Sequence, residues 1–154
     1  MRIYERVNNV NNCNENTNNS IAGILKVILA LQKSACGNDA CVDSCDRPIL
    51  GGGPTCLGCN TRPVMLYTCC GNGQPWAMPT TKDNTDACTA ASDTCSTVFR
   101  VEKIEGNAAT FRVLAPNPDA TSLYPYVSTN SLFTMDLSCC CVIRCLSDTY
   151  IECV

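Results

Sequence analysis

The sequence predicts a mainly β protein with an N-terminal helix (α+β), its strands forming a single antiparallel β-domain, sandwich-like and cross-linked by disulfides. Three observations carry this prediction. A helical apolar period is confined to residues 20–35, two alternating runs flank a Gly-Asn turn between Thr97 and Leu114, and 15 of the 154 residues are cysteine. A chain of this length can bury a core large enough to fold without staples, so the cysteines serve some further purpose.

The elements follow in chain order. Residues 1–19 hold eight asparagines between Asn8 and Asn19 and few apolar groups to offset ordering entropy, which predicts a mobile arm with Cys13 on a tether. Residues 20–154 are expected to form a single β-rich structural domain. From Ser20, Ile21, Ile24, Leu25, Ile28 and Leu31 recur at helical spacing, with Asn19 or Ser20 able to cap the start and Gly37 beyond the end. This predicts a helix over 20–35 that covers a sheet, the rival role being a helix–helix contact in an oligomer. Between Cys36 and Cys59 turn-formers such as Gly51-Gly-Gly-Pro54 are interleaved with cysteines, so covalent links are expected to order the segment. Arg62 to Cys69 reads as a strand closed by Gly71-Asn-Gly73, and Gln74 to Asp93 as a long loop.

The run from Thr97 to Leu114 reads as a hairpin. Pairing Phe99 with Val113 and Val101 with Phe111 places four apolar side chains on one face and sets Arg100 opposite Arg112, with Glu102 near enough to offset their repulsion. This register demands an odd-numbered loop, so three residues centred on Gly106 are expected. The last strand region is expected to begin near Leu132. Strict alternation through it puts Cys139, Cys141 and Cys145 in the core and Cys140 outward.

Composition excludes much. With no histidine, Cys-His and Ser-His nucleophile pairs and mixed Cys/His zinc sites cannot form. Eleven Lys and Arg stand scattered against 14 Asp and Glu, which leaves no nucleic-acid footprint. The run Ile21–Leu31 is too short for a membrane span and is broken by Lys26, and no small-x-small cleavage site follows it. A cysteine-rich chain without an export signal is expected to be made in a reducing compartment and oxidised later. No residue reads as catalytic and no cofactor is implied.

Two thiol readings compete with a disulfide framework. Cys41, Cys45, Cys56 and Cys59 could supply four thiolates to zinc in a metal-stabilised binding module. A redox role for Cys56-Leu-Gly-Cys59 lacks the strand–CxxC–helix setting that lowers a thiol pKa. A secreted disulfide-rich effector is a third reading, and it predicts N-terminal processing. Since the cysteine count is odd, full oxidation within one chain leaves a thiol for another partner.

Asn60-Thr-Arg-Pro63 with Leu66-Tyr-Thr68, Phe99-Arg-Val-Glu102, Arg112-Val-Leu114 and Asp136-Leu-Ser-Cys139 with Cys141, Ile143 and Cys145-Leu146 resemble the CotY/CotZ/ExsY family of spore coat and exosporium proteins. Cys41-x3-Cys45 before Pro48-Ile-Leu-Gly51 is similar to the family's loop after the helix, and Cys95 lies close to a family cysteine. The resemblance implies a non-enzymatic building block that self-assembles into cross-linked, often hexagonal two-dimensional arrays around endospores. It implies a homo-oligomer, a hexamer that tiles a lattice, with other coat or exosporium proteins as partners, made in the mother-cell cytoplasm without a signal peptide. Intrachain disulfide candidates are then Cys36, Cys41, Cys45, Cys95, Cys139, Cys141 and Cys145. Tether and outward positions make Cys13, Cys140 and Cys153 the intermolecular candidates. The chain departs from the family at Cys140, where relatives tend to carry an aromatic residue, in Cys56, Cys59, Cys69 and Cys70, which are extra, and at the hairpin turn, which lacks a cysteine near Asn107 or Ala108.

Overall fold

The structure is a computed structural model that describes residues 20–34, 59–152 and 154. The arm 1–19, the cysteine-rich segment 35–58 and Cys153 lie outside the described residues. Helix α1 spans Ser20–Lys33, two residues shorter than the expected 20–35. It buries Ile21, Ala22, Leu25, Ile28 and Gln32, one stripe of a 3.6-residue repeat, against the sheet. Its covering role is therefore realised. Gln32 is a buried polar group with both ends satisfied: its Nε2 donates to the Val101 carbonyl at 2.8 Å, and its Oε1 accepts from the Arg62 amide at 3.2 Å. The helix is thereby pinned to the sheet by direction-specific bonds as well as by apolar contact.

The strands are β1 (Val64–Thr68), β2 (Met78–Pro79), β3 (Cys95–Ser96), β4 (Val98–Glu105), β5 (Ala108–Pro116), β6 (Tyr126–Asp136) and β7 (Cys140–Cys145). One sheet has the order β6-β5-β4-β1-β7, with every neighbouring pair antiparallel, and β2 pairs with β3 in a small second ladder. β6 and β7 sit at opposite edges, yet a single turn of 3-10 helix, Leu137–Cys139, joins them. A flat five-stranded sheet would hold its edges about 19 Å apart, whereas such a turn advances only about 6 Å. The sheet must therefore roll up, bringing the end of β6 to the start of β7 with a large stagger. The aromatic core agrees: Phe99 on β4 and Phe133 on β6, two strands apart, meet edge to face at 4.8 Å, and Phe111 stacks on Phe133 at 5.3 Å. The sandwich-like character is that of one sheet folded over its own inner face, with α1 against it.

The β4–β5 register pairs Phe99 with Val113, Val101 with Phe111 and Arg100 with Arg112. The Glu102 carboxylate bridges the two guanidiniums at 2.8 and 2.9 Å. The three-residue loop is not formed. Beyond Val101 the register shifts, so that Lys103 faces Thr110 and Glu105 faces Ala108, which leaves a two-residue turn of Gly106 and Asn107. A bulge at Glu102 supplies the odd residue that the loop was expected to hold. Gly106, at φ 58°, takes the left-handed conformation that this tight turn requires.

Two further boundaries differ from expectation. β6 begins at Tyr126 and not near Leu132, because its first half pairs through the backbone with Leu114–Pro116 without an apolar alternation to announce it. β1 is confined to Val64–Thr68, since Pro63 and the turn that follows Thr68 trim the expected run at both ends.

At the Val64 end of β1, the chain before the strand is clamped to the chain after β7. Asn60 holds the Ile151 backbone by both edges, its Nδ2 donating to the carbonyl and its Oδ1 accepting from the amide, each at 2.9 Å. Thr61 bridges to Thr149. Arg62, 1% exposed, forms a two-pronged ion pair with Asp148 at 2.9 and 3.3 Å. The clamp fixes the β1–β7 register, and that register positions the sulfurs at the other end.

Candidate cross-linking edge

At the Thr68 end, β1 runs into a turn in which the Gly71 amide donates to the Thr68 carbonyl at 3.2 Å. Cys69 and Cys70 are its central residues, and both are exposed. A Cβ at position 71 would stand 2.9 Å from the Thr68 hydroxyl oxygen and 3.3 Å from the Gln74 carbonyl oxygen, so any larger residue there would force Thr68 to move. A second turn follows at once: the Gln74 amide donates to the Gly71 carbonyl at 2.9 Å, and Asn72 and Gly73, at φ 53° and 75°, form its type I′ centre. Two turns in succession send the chain back beside β1, where the Trp76 amide donates to the Leu66 carbonyl at 2.7 Å. Cys70 lines the groove so formed, about 730 Å³ in volume, together with Thr68, Gln74, Trp76, Met78 and Cys88.

On β7 the strict alternation fails twice. Asp136 caps the 3-10 turn, its carboxylate accepting from the Ser138 amide at 3.0 Å and the Ser138 hydroxyl at 2.7 Å, and these bonds hold its pKa below the usual carboxylate value. The turn advances the inward phase from Leu137 to Cys140 instead of Cys139. A bulge at Cys141 then carries it to Ile143 and Cys145, which pack against the core. Two slips of one residue cancel, and the parity expected at Cys145 is recovered.

The consequence for the thiols is a reversal. Cys140, expected outward, is 6% exposed and packs in the core. Cys139, expected inward, is an exposed free thiol, and Cys141 is exposed and joined to Cys69. Burial pushes the Cys140 thiol pKa up, and the thiol donates to the Val142 carbonyl at 3.5 Å. A buried thiol with a raised pKa holds little thiolate at neutral pH and is a poor nucleophile. Cys140 thus lacks the exposure that alternation gives it, and the exposed free thiols among the described residues are Cys70 and Cys139.

Cys69 and Cys141 are bonded at a Cα separation of 5.3 Å, and Cys88 and Cys95 at 5.9 Å, both within the normal span. Cys59 and Cys145 are each in a disulfide as well, though not with one another. Of the four cysteines in the zinc reading, Cys59 is disulfide-bonded and Cys41, Cys45 and Cys56 lie outside the described residues, as do Cys13, Cys36 and Cys153. Among the described residues no group of three or more His, Cys, Asp or Glu is placed to hold a metal, and no helix is long and apolar enough to cross a membrane. Sequence reasoning missed Cys69 and Cys88 as intrachain partners and Cys70 as an exposed thiol. The signal for Cys69 was its place at the end of a strand that pairs with the final cysteine run.

A model of the family described as spore coat protein Z matches residues 8–127. The chain belongs to this family. Membership points to a structural, non-enzymatic role in the spore coat, with the cysteines drawn into disulfides. No curated protein and no solved structure matches the chain. The family match takes in α1, the Asn60–Pro63 half of the clamp and the β4–β5 hairpin but ends within β6, so Cys139, Cys140, Cys141 and the clamp's Asp148 and Ile151 lie beyond it.

Proposed function

We propose that the protein is a self-assembling subunit of the endospore coat or exosporium that tiles a disulfide-cross-linked, hexagonal two-dimensional lattice, with a hexamer as its repeating unit. In this reading residues 20–154 form the folded unit and 1–19 an arm that carries Cys13. The unit is made in the mother-cell cytoplasm and meets itself and other coat proteins there. The observation that carries the reading is the division of sulfur across β7: core packing and the Arg62–Asp148 clamp close the subunit, while Cys70 and Cys139 remain free and exposed on one edge. A core that is already closed has no need of exposed thiols, and thiols at an edge suit bonds between copies. Noncovalent contacts set the register and disulfides harden it. Cys70 and Cys139 replace Cys140 as linkers, beside Cys13 and Cys153.

Electron microscopy of the purified protein, with non-reducing electrophoresis in parallel, tests this. Ordered sheets and a ladder of covalent oligomers are expected, the ladder collapsing with reductant and the sheets persisting. A monomer under every condition, without sheets, overturns the reading.

A further inference from the structure

The surroundings of the Cys69–Cys141 bond differ from those of a structural staple. Its two sulfurs belong to exposed residues, one in a turn and one in a bulge, outside the ordered ladder on both strands. Each lies close in sequence to a free exposed thiol, Cys70 next to Cys69 and Cys139 two residues before Cys141. Backbone pairing ties the two segments together, the Cys69 amide donating to the Cys139 carbonyl at 3.3 Å. One edge therefore carries both halves of a thiol–disulfide exchange, an accessible disulfide as electrophile and accessible thiols as nucleophiles. An exposed disulfide is the labile kind, open to attack by an outside thiolate.

We propose that the Cys69–Cys141 bond is transferable, and that neighbouring copies join by exchange and not only by oxidation. This deepens the lattice reading above and rests on it. The Cys70 or Cys139 thiol of one copy gives up its proton, and the thiolate attacks a sulfur of the Cys69–Cys141 bond in the next. One new interchain S–S bond forms and the intrachain bond breaks. The departing sulfur leaves as a thiolate and takes up the proton. No electrons are lost, so no oxidant is required, and the number of free thiols is unchanged. The expelled Cys69 or Cys141 is itself an exposed thiol and can attack a further copy. Joining then propagates through a compartment that is still reducing on average, provided each subunit enters with one bond already made.

The test mixes isotopically light and heavy copies of the full chain, each oxidised beforehand, in oxygen-free buffer without oxidant. Light–heavy disulfide peptides are identified by mass spectrometry, and free thiols are counted. Light–heavy links joining Cys69 or Cys141 to Cys70 or Cys139 at a constant thiol count are expected. A Cys70→Ala/Cys139→Ala variant, altered only at exposed positions, should form light–heavy links of every kind at least about tenfold more slowly than wild type while keeping its Cys69–Cys141 bond and its melting temperature. Light–heavy links that arise only when oxidant is added, with two thiols lost per link, overturn exchange and leave the cross-linked lattice standing. Absence of light–heavy links even with oxidant overturns exchange and the covalent part of the proposed function together.

Discussion

The β1–β7 pair is held at its two ends by opposite means. At the Val64 end the fastening is Arg62 on Asp148 and Asn60 on Ile151, with both side chains of the ion pair 1% exposed. At the Thr68 end it is a single bond between two exposed cysteines. Five strand residues separate a clamp that solvent cannot reach from a bond that solvent reaches freely. The family match covers one half of each fastening, Asn60 and Arg62 of the clamp and Cys69 and Cys70 of the sulfur edge, while Asp148, Ile151, Cys139 and Cys141 lie beyond it. One strand pair thus carries a buried fastening at one end and exposed sulfur chemistry at the other.

The sharpest way to break the comparison is at the clamp. Arg62→Ala removes the guanidinium that pairs with the buried Asp148 carboxylate, so a loss of about 3 to 5 kcal/mol is expected by denaturant unfolding. The same variant should release the Cys69–Cys141 register, seen as scrambled disulfides in a peptide map. A loss under 1 kcal/mol would show that the ion pair is incidental to closure.

At the other end, Cys69→Ser/Cys141→Ser removes a link that spans 72 residues of chain, and a loss of about 2 to 4 kcal/mol is expected. The prediction that sharpens the contrast is qualitative: this variant should unfold cooperatively with Arg62–Asp148 intact, because the clamp sets the register without the bond. If the variant cannot fold, the exposed disulfide is a staple and the division of tasks along β1–β7 is wrong.

What the sequence revealed follows the same line. Where apolar side chains alternate, as in Phe99, Val101, Phe111 and Val113, the register was legible, since burial on one face penalises any slip. The bulge at Glu102 was not, because a charged residue that bridges two arginines reads the same whether or not the ladder shifts beside it. The faces of Cys139, Cys140 and Cys141 were illegible for a related reason: cysteine is content in a core, in a disulfide or in water, so its identity fixes no phase. The cue was Asp136 followed by Ser138, a capping pair that announces a turn in the middle of an apparently continuous strand.

That cap offers the next, smaller test. Asp136→Ala should cost about 1 kcal/mol at neutral pH, held to that size by solvent around an exposed carboxylate. Because the Ser138 bonds lower the Asp136 pKa in the folded state, the contribution is present above the unfolded value of about 3.9 and is lost as pH falls through the folded one. Wild type and variant should therefore converge in stability at acid pH. Equal stability at pH 7 would mean that the turn is set by the burial of Leu137 alone.

The smallest effect on stability should accompany the largest on reactivity. Cys139→Ala is expected to change unfolding free energy by no more than about 0.5 kcal/mol, as an exposed substitution does. In wild type, the same residue should be alkylated far faster than its neighbour Cys140, which combines burial with a pKa raised by desolvation. Raising the pH must leave Cys140 lagging, because its thiolate forms at higher pH than an ordinary cysteine's and the core still covers it. A pulse of alkylating reagent across a pH series, read by mass spectrometry on the adjacent pair, measures this within a single peptide. Equal rates at Cys139 and Cys140 would mean that the 3-10 turn does not reset the strand, and the outward thiol would again be the one that alternation assigns.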